Sequence, residues 1–335
     1  MPDLSSLKLG RAFGLITKTM PILLVRMGAY LVFWVATLIY LSITGGVSWL
    51  VGQAVSIIGV ILFIASIAAI GPIYRLAYQY VFYIIKAAHL AVVAEILQNG
   101  KLPAGESQLD WGRKAVTQRF GETSAMFLVD EAVESVIRAF TNTVYRFSRI
   151  FPGETMEQFA RVANRVVRFS LTYVDEAIMA RSFWREDENV WESAEDGLVL
   201  YAQSWKPLLT NAVVLMLLSY VPFIVAFLVV AAPLGALVAF VFNPQVAGWS
   251  IILTLIFAWL VKVAVGDAFA MVAMLACYHE TTQGMTPNPE MSAQLSRVSD
   301  KFNEIKQRAA QAVTPPADAS TASAADMGMS PQPDA

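Results

Sequence analysis

The stretch LIFAWLVKVAVGDAFAMVAMLACYHE, residues 255–280, has the apolar composition of a membrane-spanning helix but carries two charges near its middle. About 20 apolar residues cross the ~30 Å hydrocarbon core of a bilayer, and ionisable side chains within it are costly unless they are paired or hydrated. The spacing of Lys262 and Asp267 places them about 140° apart on an α-helix. We therefore expect each to find a partner elsewhere, on another helix or in a water-filled cleft, and not in the other.

The whole chain shares this character. It has 335 residues, of which 56% are hydrophobic and 15% charged, with a mean hydropathy of +0.55, whereas soluble domains carry roughly 25% charged residues. The net charge of −2 argues against a nucleic-acid partner. One cysteine, Cys277, and two histidines offer no metal-binding cluster, so we expect neither a metal nor another cofactor.

Four apolar runs are long enough to span a bilayer: residues 20–43, 53–70, 208–231 and 251–278. TGGVSW (44–49) reads as a bend between the first two, and Gly71-Pro72 reads as the end of the second helix. Arg26 lies close enough to one end of its run to snorkel. The uncharged segment 232–248 either dips into the membrane or divides into two further spans. We predict an all-α polytopic membrane protein with four spans, or alternatively six.

Basic residues are distributed unevenly. Apart from Arg26 and Lys262, all lie in the N-terminus, in residues 74–206 or in the C-terminus. By the positive-inside rule these segments face the cytoplasm, which predicts a multi-pass protein of the cytoplasmic membrane with both termini inside. The predicted units are a basic segment with the first transmembrane hairpin (1–73), a cytoplasmic helical subdomain apposed to the membrane (74–206), the second hairpin (207–280), an amphipathic helix (281–312) and a disordered tail (313–335).

The middle region has helical periodicity. A ~100° step per residue puts apolar side chains on one face of a helix that starts near Val129: Val129, Val133, Val136, Ile137, Phe140, Val144, Phe147 and Phe151. Glu134 and Arg138 lie opposite, spaced for an ion pair. Pro152-Gly153 separates this helix from a second amphipathic one at about 156–185, which suggests a helical hairpin. Residues 74–98 read as a helix on the inner membrane surface or packed under the spans, with a true span as the alternative. A further amphipathic helix after Met285 would turn Leu295, Val298, Phe302 and Ile305 inward.

Two sets of charged residues are candidate sites. Lys262 and Asp267 are candidates for solute passage, with small neighbours (Gly266, Ala268, Ala270 and Ala273) that let another helix approach closely. The alternative is that this long helix overshoots the bilayer and Asp267 is an ordinary packing charge near the cytoplasmic interface. A basic block could bind lipid head groups or a partner, or pair with the acidic run EDENVWESAED (186–196). Its arginines are Arg138, Arg146, Arg149, Arg161, Arg165 and Arg168.

Asp175 and Glu176 point about 100° apart, and Asp175 continues a polar stripe of its helix. No zinc-protease, Ser/His/Asp or phosphate-loop pattern occurs in the chain, so we do not expect an enzyme.

Several stretches resemble a bacterial family of multi-pass membrane proteins without assigned activity. They are KLPAGESQLDWGRKAVTQRF (101–120), YVDEAIMARSFW (173–184), SAEDGLVLYAQSWKPLLTNA (193–212) and LVKVAVGDAFAMVAML (260–275). SAEDGLVLYAQSWKPLLTNAVVL (193–215) and AFAMVAMLACYHE (268–280) are more distantly similar to the choline transporter-like family, although this chain lacks its large extracellular loop and higher span count.

Together, these patterns favour a protein that binds or passes a small solute or ion. The alternative is a membrane scaffold whose amphipathic helices bind a protein or the lipid surface. Membrane lipids, and a second copy or another membrane protein, are the expected partners.

Overall fold

A computed structural model describes residues 9–121, 123–148, 171–241 and 249–313. Throughout these ranges the chain forms helices and no strands, so the predicted all-α class is confirmed. The helices of the first half are α1 (Leu9–Lys18), α2 (Met20–Ala54), α3 (Ser56–Ala77), a π-helical turn (Tyr78–Phe82), α4 (Tyr83–Asn99), α5 (Gln108–Phe120) and α6 (Thr123–Ser148). Those of the second half are α7 (171–184), α8 (Val190–Gln203), α9 (Trp205–Leu218), α10 (Val221–Val241), α11 (Trp249–Val261), a second π-helical turn (Lys262–Gly266), α12 (Asp267–Thr282), α13 (Pro289–Val298) and α14 (Asp300–Val313).

Within the described ranges, four helices are long and apolar enough to cross a membrane: Met20–Ala54, Ser56–Asn99, Trp205–Leu237 and Thr254–Thr282. The protein is therefore a multi-pass membrane protein. α10 continues through Pro233 to Val241, so the first part of segment 232–248 extends the third long helix. Residues 242–248 lie outside the described ranges.

The first hairpin differs from the prediction in its turn. TGGVSW is not a bend, because α2 continues through it to Ala54 and a single extended residue, Val55, leads into α3. The tight turn depends on small residues: a Cβ on Gly59 would lie 2.5 Å from the Ser48 carbonyl oxygen and 2.6 Å from Gly52 Cα. Gly52 and Gly59, which lie beyond TGGVSW on either side of the turn, allow the two helix backbones to touch.

The second helix also continues where a stop was predicted. Pro72 lies inside α3, and the helix runs on through the π-helical turn Tyr78–Phe82 into α4. Proline is tolerated within membrane helices because neighbouring groups and local π-helical adjustments satisfy the freed backbone groups. Residues 74–98 are therefore not a separate helix on the membrane surface but the continuation of the second long helix.

This long helix changes its surroundings along its length. Large apolar side chains are exposed from Ile57 to Tyr80, about 35 Å at 1.5 Å per residue, which matches the ~30 Å hydrocarbon thickness. Beyond that point the helix is buried in protein from Ala87 to Leu97. One end faces lipid and the other forms the centre of a compact helical subdomain.

We define the helical subdomain as α4–α8 with α13 and α14, against which α1, α9 and α12 pack. The predicted apolar face of α6 is confirmed where side chains are described: Val129, Val133, Val136 and Ile137 are at most 1% exposed. Burial stabilises by roughly 1.5–3 kcal/mol per large aliphatic side chain. Phe140 packs at the edge of the same core. The side chains of Val144 and Phe147, as well as Phe151 and Pro152-Gly153, lie outside the described part.

The C-terminal segment forms two helices where one was predicted. α13 ends at Val298, Ser299 is extended, and α14 begins at Asp300. The inward positions are as expected for Leu295, Phe302 and Ile305, which are at most 1% exposed. Residues 314–335, most of the predicted tail, lie outside the described ranges.

Candidate functional site

Lys262 and Asp267 bind each other. The Lys262 Nζ lies 2.6 Å from Asp267 Oδ1, and both side chains are largely buried, at 10% and 21% exposed. The prediction that they do not pair is wrong because the intervening segment is π-helical. The Asp267 N–H donates to the Lys262 carbonyl oxygen, and this i→i+5 bonding brings together two residues that an α-helix would separate.

The pair is anchored by aromatic side chains from other helices. The Tyr173 hydroxyl of α7 donates a hydrogen bond to Asp267 Oδ1 at 2.6 Å. Burial of the hydroxyl and, as the smaller cause, the neighbouring Asp267 carboxylate both raise the pKa of Tyr173. The hydroxyl therefore keeps the proton that it donates. The Lys262 ammonium lies 4.8 Å from the centre of the Tyr220 ring and 5.4 Å from that of Trp259. Such cation–π contacts are worth up to about 2 kcal/mol when desolvated.

Gly266 allows the π-helical turn to sit against the third long helix. That helix is interrupted at Ser219 and Tyr220, between α9 and α10. A Cβ on Gly266 would lie 2.0 Å from the Ser219 carbonyl oxygen, so no other residue fits without moving the backbone. The expectation that small residues near Asp267 admit a neighbouring helix is confirmed at this position.

A cavity of ≈ 240 Å³ lies beside the ion pair. It occupies the end of the exposed apolar surface, where the long helices enter the helical subdomain. Three of the four long helices depart from regular α-helix at its walls, namely at Tyr78–Phe82, at Ser219-Tyr220 and at Lys262–Gly266. Irregular turns of this kind are frequent at functional sites. The charged lining residues are Arg26, Lys86, Glu176, Lys262 and Asp267.

A second ion pair lines the same cavity. Lys86 Nζ lies 2.8 Å from Glu176 Oε1, with 14% and 8% of the side chains exposed. Behind it, burial raises the pKa of Asp130 to about 6 despite the opposing charge of Lys86. Burial, with Asp130 and Glu176 nearby, raises the pKa of Asp175 well above its usual value. Asp175 is 5% exposed, so this position of the predicted polar stripe is buried, near Lys86 of α4 and Asp130 of α6.

Arg26 is the remaining cation at the cavity. It does not snorkel towards water, since it is only 6% exposed. Its Nη2 donates to the Val263 carbonyl oxygen at 3.1 Å. Its buried Nη1 has no hydrogen-bond partner within the described part of the chain. Sequence reasoning treated Arg26 as an interfacial residue, because only the fold brings α2 against the π-helical turn that follows α11.

The basic block is mostly beyond what the structure describes. Arg149, Arg161, Arg165 and Arg168 lie outside the described ranges, as does the side chain of Arg146. Arg138 is exposed and pairs with Glu134 as predicted, one helical turn away. Among the described residues it forms no ion pair with the acidic run.

The acidic run has other partners. Arg181, 4% exposed, binds Glu188 with two nitrogens and also contacts Asp196. Arg185 binds Asp187 and Glu188. The run 186–196 therefore fastens α7 to α8 within the helical subdomain.

A separate cleft in the helical subdomain is a weaker candidate. It is lined by Glu95, Trp111, Lys114 and Arg119 among others. Arg119 Nη2 already donates to the carbonyl oxygens of Arg185 and Glu188, and Lys114 forms an ion pair with Glu106. Among the described residues, no group of three or more His, Cys, Asp or Glu side chains is placed to hold a metal ion. Comparison of the chain with protein-family models, with curated proteins and with solved structures finds no match.

Proposed function

We propose that the protein binds a small solute or ion in the cavity beside Asp267 and passes it across the membrane. The observation that carries the proposal is a cavity at the meeting point of the long helices, lined by two buried ion pairs. Buried charges at membrane depth are expensive and are retained where a pathway needs them. A scaffold needs only close packing at this point.

Asp267 is the proposed gate or coupling residue, with Lys262 as its electrostatic counterpart. The carboxylate belongs to the fourth long helix and accepts a hydrogen bond from Tyr173 of the helical subdomain. A solute that competes for Lys262 or Asp267 would loosen this connection between the two parts of the molecule. Irregular helical turns at the cavity wall supply places where such a change is absorbed.

The proposed setting is the cytoplasmic membrane of a bacterium, with both termini and the helical subdomain inside. The charge distribution supports this orientation. A cysteine placed at Glu106, which is exposed beside α5, should react with an impermeant thiol reagent only from the cytoplasmic side. One at Gln53, exposed at the opposite hairpin turn, should react from the periplasm. Labelling of both from one side contradicts this layout.

Flux in proteoliposomes tests the function. Wild-type protein should carry at least one of rubidium, choline or benzoate above protein-free vesicles. Asp267→Asn alone leaves Lys262 buried without its counter-ion, which is destabilising, so the informative variant is Lys262→Met/Asp267→Asn. The amide still accepts the bond from Tyr173, and no charge is left unpaired. We expect this variant to fold and to lose flux. Wild-type rates in it would contradict the role of the pair.

A membrane scaffold or assembly partner is the second candidate, in contact with lipid and with a second copy or another membrane protein. It is favoured by one observation: the oxygen Asp267 Oδ1 is already bound by both Lys262 and Tyr173. The pair would then only fasten the long helices to the helical subdomain. In that case the double variant should alter stability or assembly, and no probe should cross wild-type vesicles.

A further inference from the structure

We propose that the cavity is an anion site, in which Arg26 binds the carboxylate or phosphate group of a small organic anion with a flat apolar body. This inference rests on the proposed function and specifies its substrate class. It places the recognition group on the first long helix, away from the Lys262–Asp267 pair.

The charge balance of the cavity favours an anion. Three cations and two carboxylates line it. Lys86 is neutralised by Glu176 and Lys262 by Asp267, each at ion-pair distance. Within the described part of the chain, Arg26 is paired with no carboxylate. Among the side chains that line the cavity, the Arg26 guanidinium is therefore the cation without a carboxylate at ion-pair distance in the described residues.

Arg26 also has hydrogen-bonding capacity to spare. Arg26 is only 6% exposed. Its Nη2 donates to the Val263 carbonyl oxygen, and its Nη1 has no hydrogen-bond partner in the described structure. An unsatisfied buried donor carries a desolvation cost, and a rotation of the guanidinium that turns this nitrogen towards a ligand oxygen in the cavity would remove it. Guanidinium groups suit carboxylate and phosphate because their planar fork matches two oxygens.

The walls around Arg26 indicate the rest of the ligand. Tyr30 and Phe82 stack with ring centres 4.2 Å apart, and Tyr74 lies against Phe82 at 6.0 Å. All three line the cavity. Flat apolar groups pack well against such rings. The ≈ 240 Å³ volume is smaller than the ~300–1,000 Å³ of sites for drug-sized ligands, which suits a single ring with one acidic group.

Binding of four matched probes to purified full-length protein in detergent tests the proposal. Isothermal titration would compare benzoate and phenyl phosphate with benzylammonium and benzyl alcohol, which share the ring and differ in charge. Wild-type protein should bind the two anions and neither of the others. This comparison uses wild-type protein throughout, so its result does not depend on whether a variant folds.

Variants then assign the effect to Arg26. Arg26→Gln should weaken benzoate binding about 10- to 100-fold, the range expected for loss of a hydrogen bond to a charged group, and Arg26→Lys should recover part of it. Arg75→Gln is the matched control, because Arg75 is an exposed arginine that does not line the cavity. Unchanged benzoate affinity in folded Arg26→Gln protein overturns the proposal.

The remaining outcomes separate this inference from the function on which it rests. Preferential binding of benzylammonium, lost in Lys262→Met/Asp267→Asn, overturns the anion site and leaves solute binding at the cavity intact. Absence of binding and of flux for every probe overturns both. Nanodiscs of phosphatidylcholine, with and without phosphatidylglycerol, identify the source of the anion. Loss of benzoate binding only with phosphatidylglycerol supports a lipid head group in the site, and equal binding supports a free solute.

Discussion

Replacing Lys86 by methionine should destabilise the protein far more than replacing a charge on its surface. Lys86 lies at the centre of three carboxylates that the fold buries together, Glu176, Asp130 and Asp175. Methionine has a similar length and packs against the same walls. The change therefore removes the charge with little loss of volume.

The magnitude follows from burial. Removing one partner of a buried ion pair costs roughly 3–5 kcal/mol, because the other charge is left uncompensated. Lys86→Met should reach the upper end of that range, since Glu176 is only 8% exposed and the two aspartates lose the same cation. The destabilisation by Glu176→Gln should lie at or below the lower end of the same range, because Asp130 and Asp175 continue to attract Lys86.

The control is the Glu134–Arg138 pair of α6, whose side chains are 34% and 54% exposed. Exposed pairs contribute below about 1 kcal/mol, so Glu134→Gln should change little. Denaturant unfolding in detergent, followed by helical circular dichroism at pH 7.5, gives the comparison. Lys86→Met should also recover stability at pH 5, where its abandoned carboxylates take up protons. If the unfolding free energies of Lys86→Met and Glu134→Gln differ by less than about 1 kcal/mol, the reasoning from buried charge is wrong.

Three further changes test other parts of the structure. Because burial raises the pKa of Asp130 to about 6 from 3.8, ionisation costs the folded state more than the unfolded chain. Its contribution to stability should grow as pH falls from 7 through 6, and Asp130→Asn should reduce that slope in a pH series of unfolding curves. Gly266→Ala should lower the melting temperature and solute binding together, since its Cβ would lie 2.0 Å from the Ser219 oxygen. Gly46→Ala is the control, because nothing lies within 4 Å of its Cβ, and it should leave the melting temperature unchanged or raise it slightly. A larger loss of melting temperature in Gly46→Ala than in Gly266→Ala would refute the close approach of Gly266 to Ser219. Val136→Asp should prevent accumulation of folded protein because it buries a charge at 0% exposure, whereas Arg138→Ala should accumulate like wild type in the same expression assay.

Length and hydropathy determined the all-α membrane class and the four long helices without any structure. Both are properties of contiguous sequence, since a run of about 20 apolar residues spans a bilayer whatever surrounds it. The apolar face of α6 was also predictable, because in a regular α-helix the sequence spacing of two residues fixes the angle between their side chains. Residues such as Val133 and Ile137 were placed correctly for that reason.

The ends and irregularities of helices were decided by tertiary contacts. Glycine and proline in TGGVSW and Gly71-Pro72 usually stop a helix, but here close packing in the first hairpin and the lack of competing water keep both helices intact. The local rule is derived from chains in water. It loses force where no water is available to satisfy a broken backbone hydrogen bond.

The candidate site shows the same division. The sequence by itself pointed to Lys262 and Asp267 as costly charges, but a constant 100° step placed them on different sides of the helix. A π-helical turn brings them together, and what permits that turn is contact between Gly266 and Ser219, 47 residues apart in the chain. Arg26, Lys86 and Glu176 reach the cavity from three other helices. Their meeting depends on how those helices pack, which no single segment encodes.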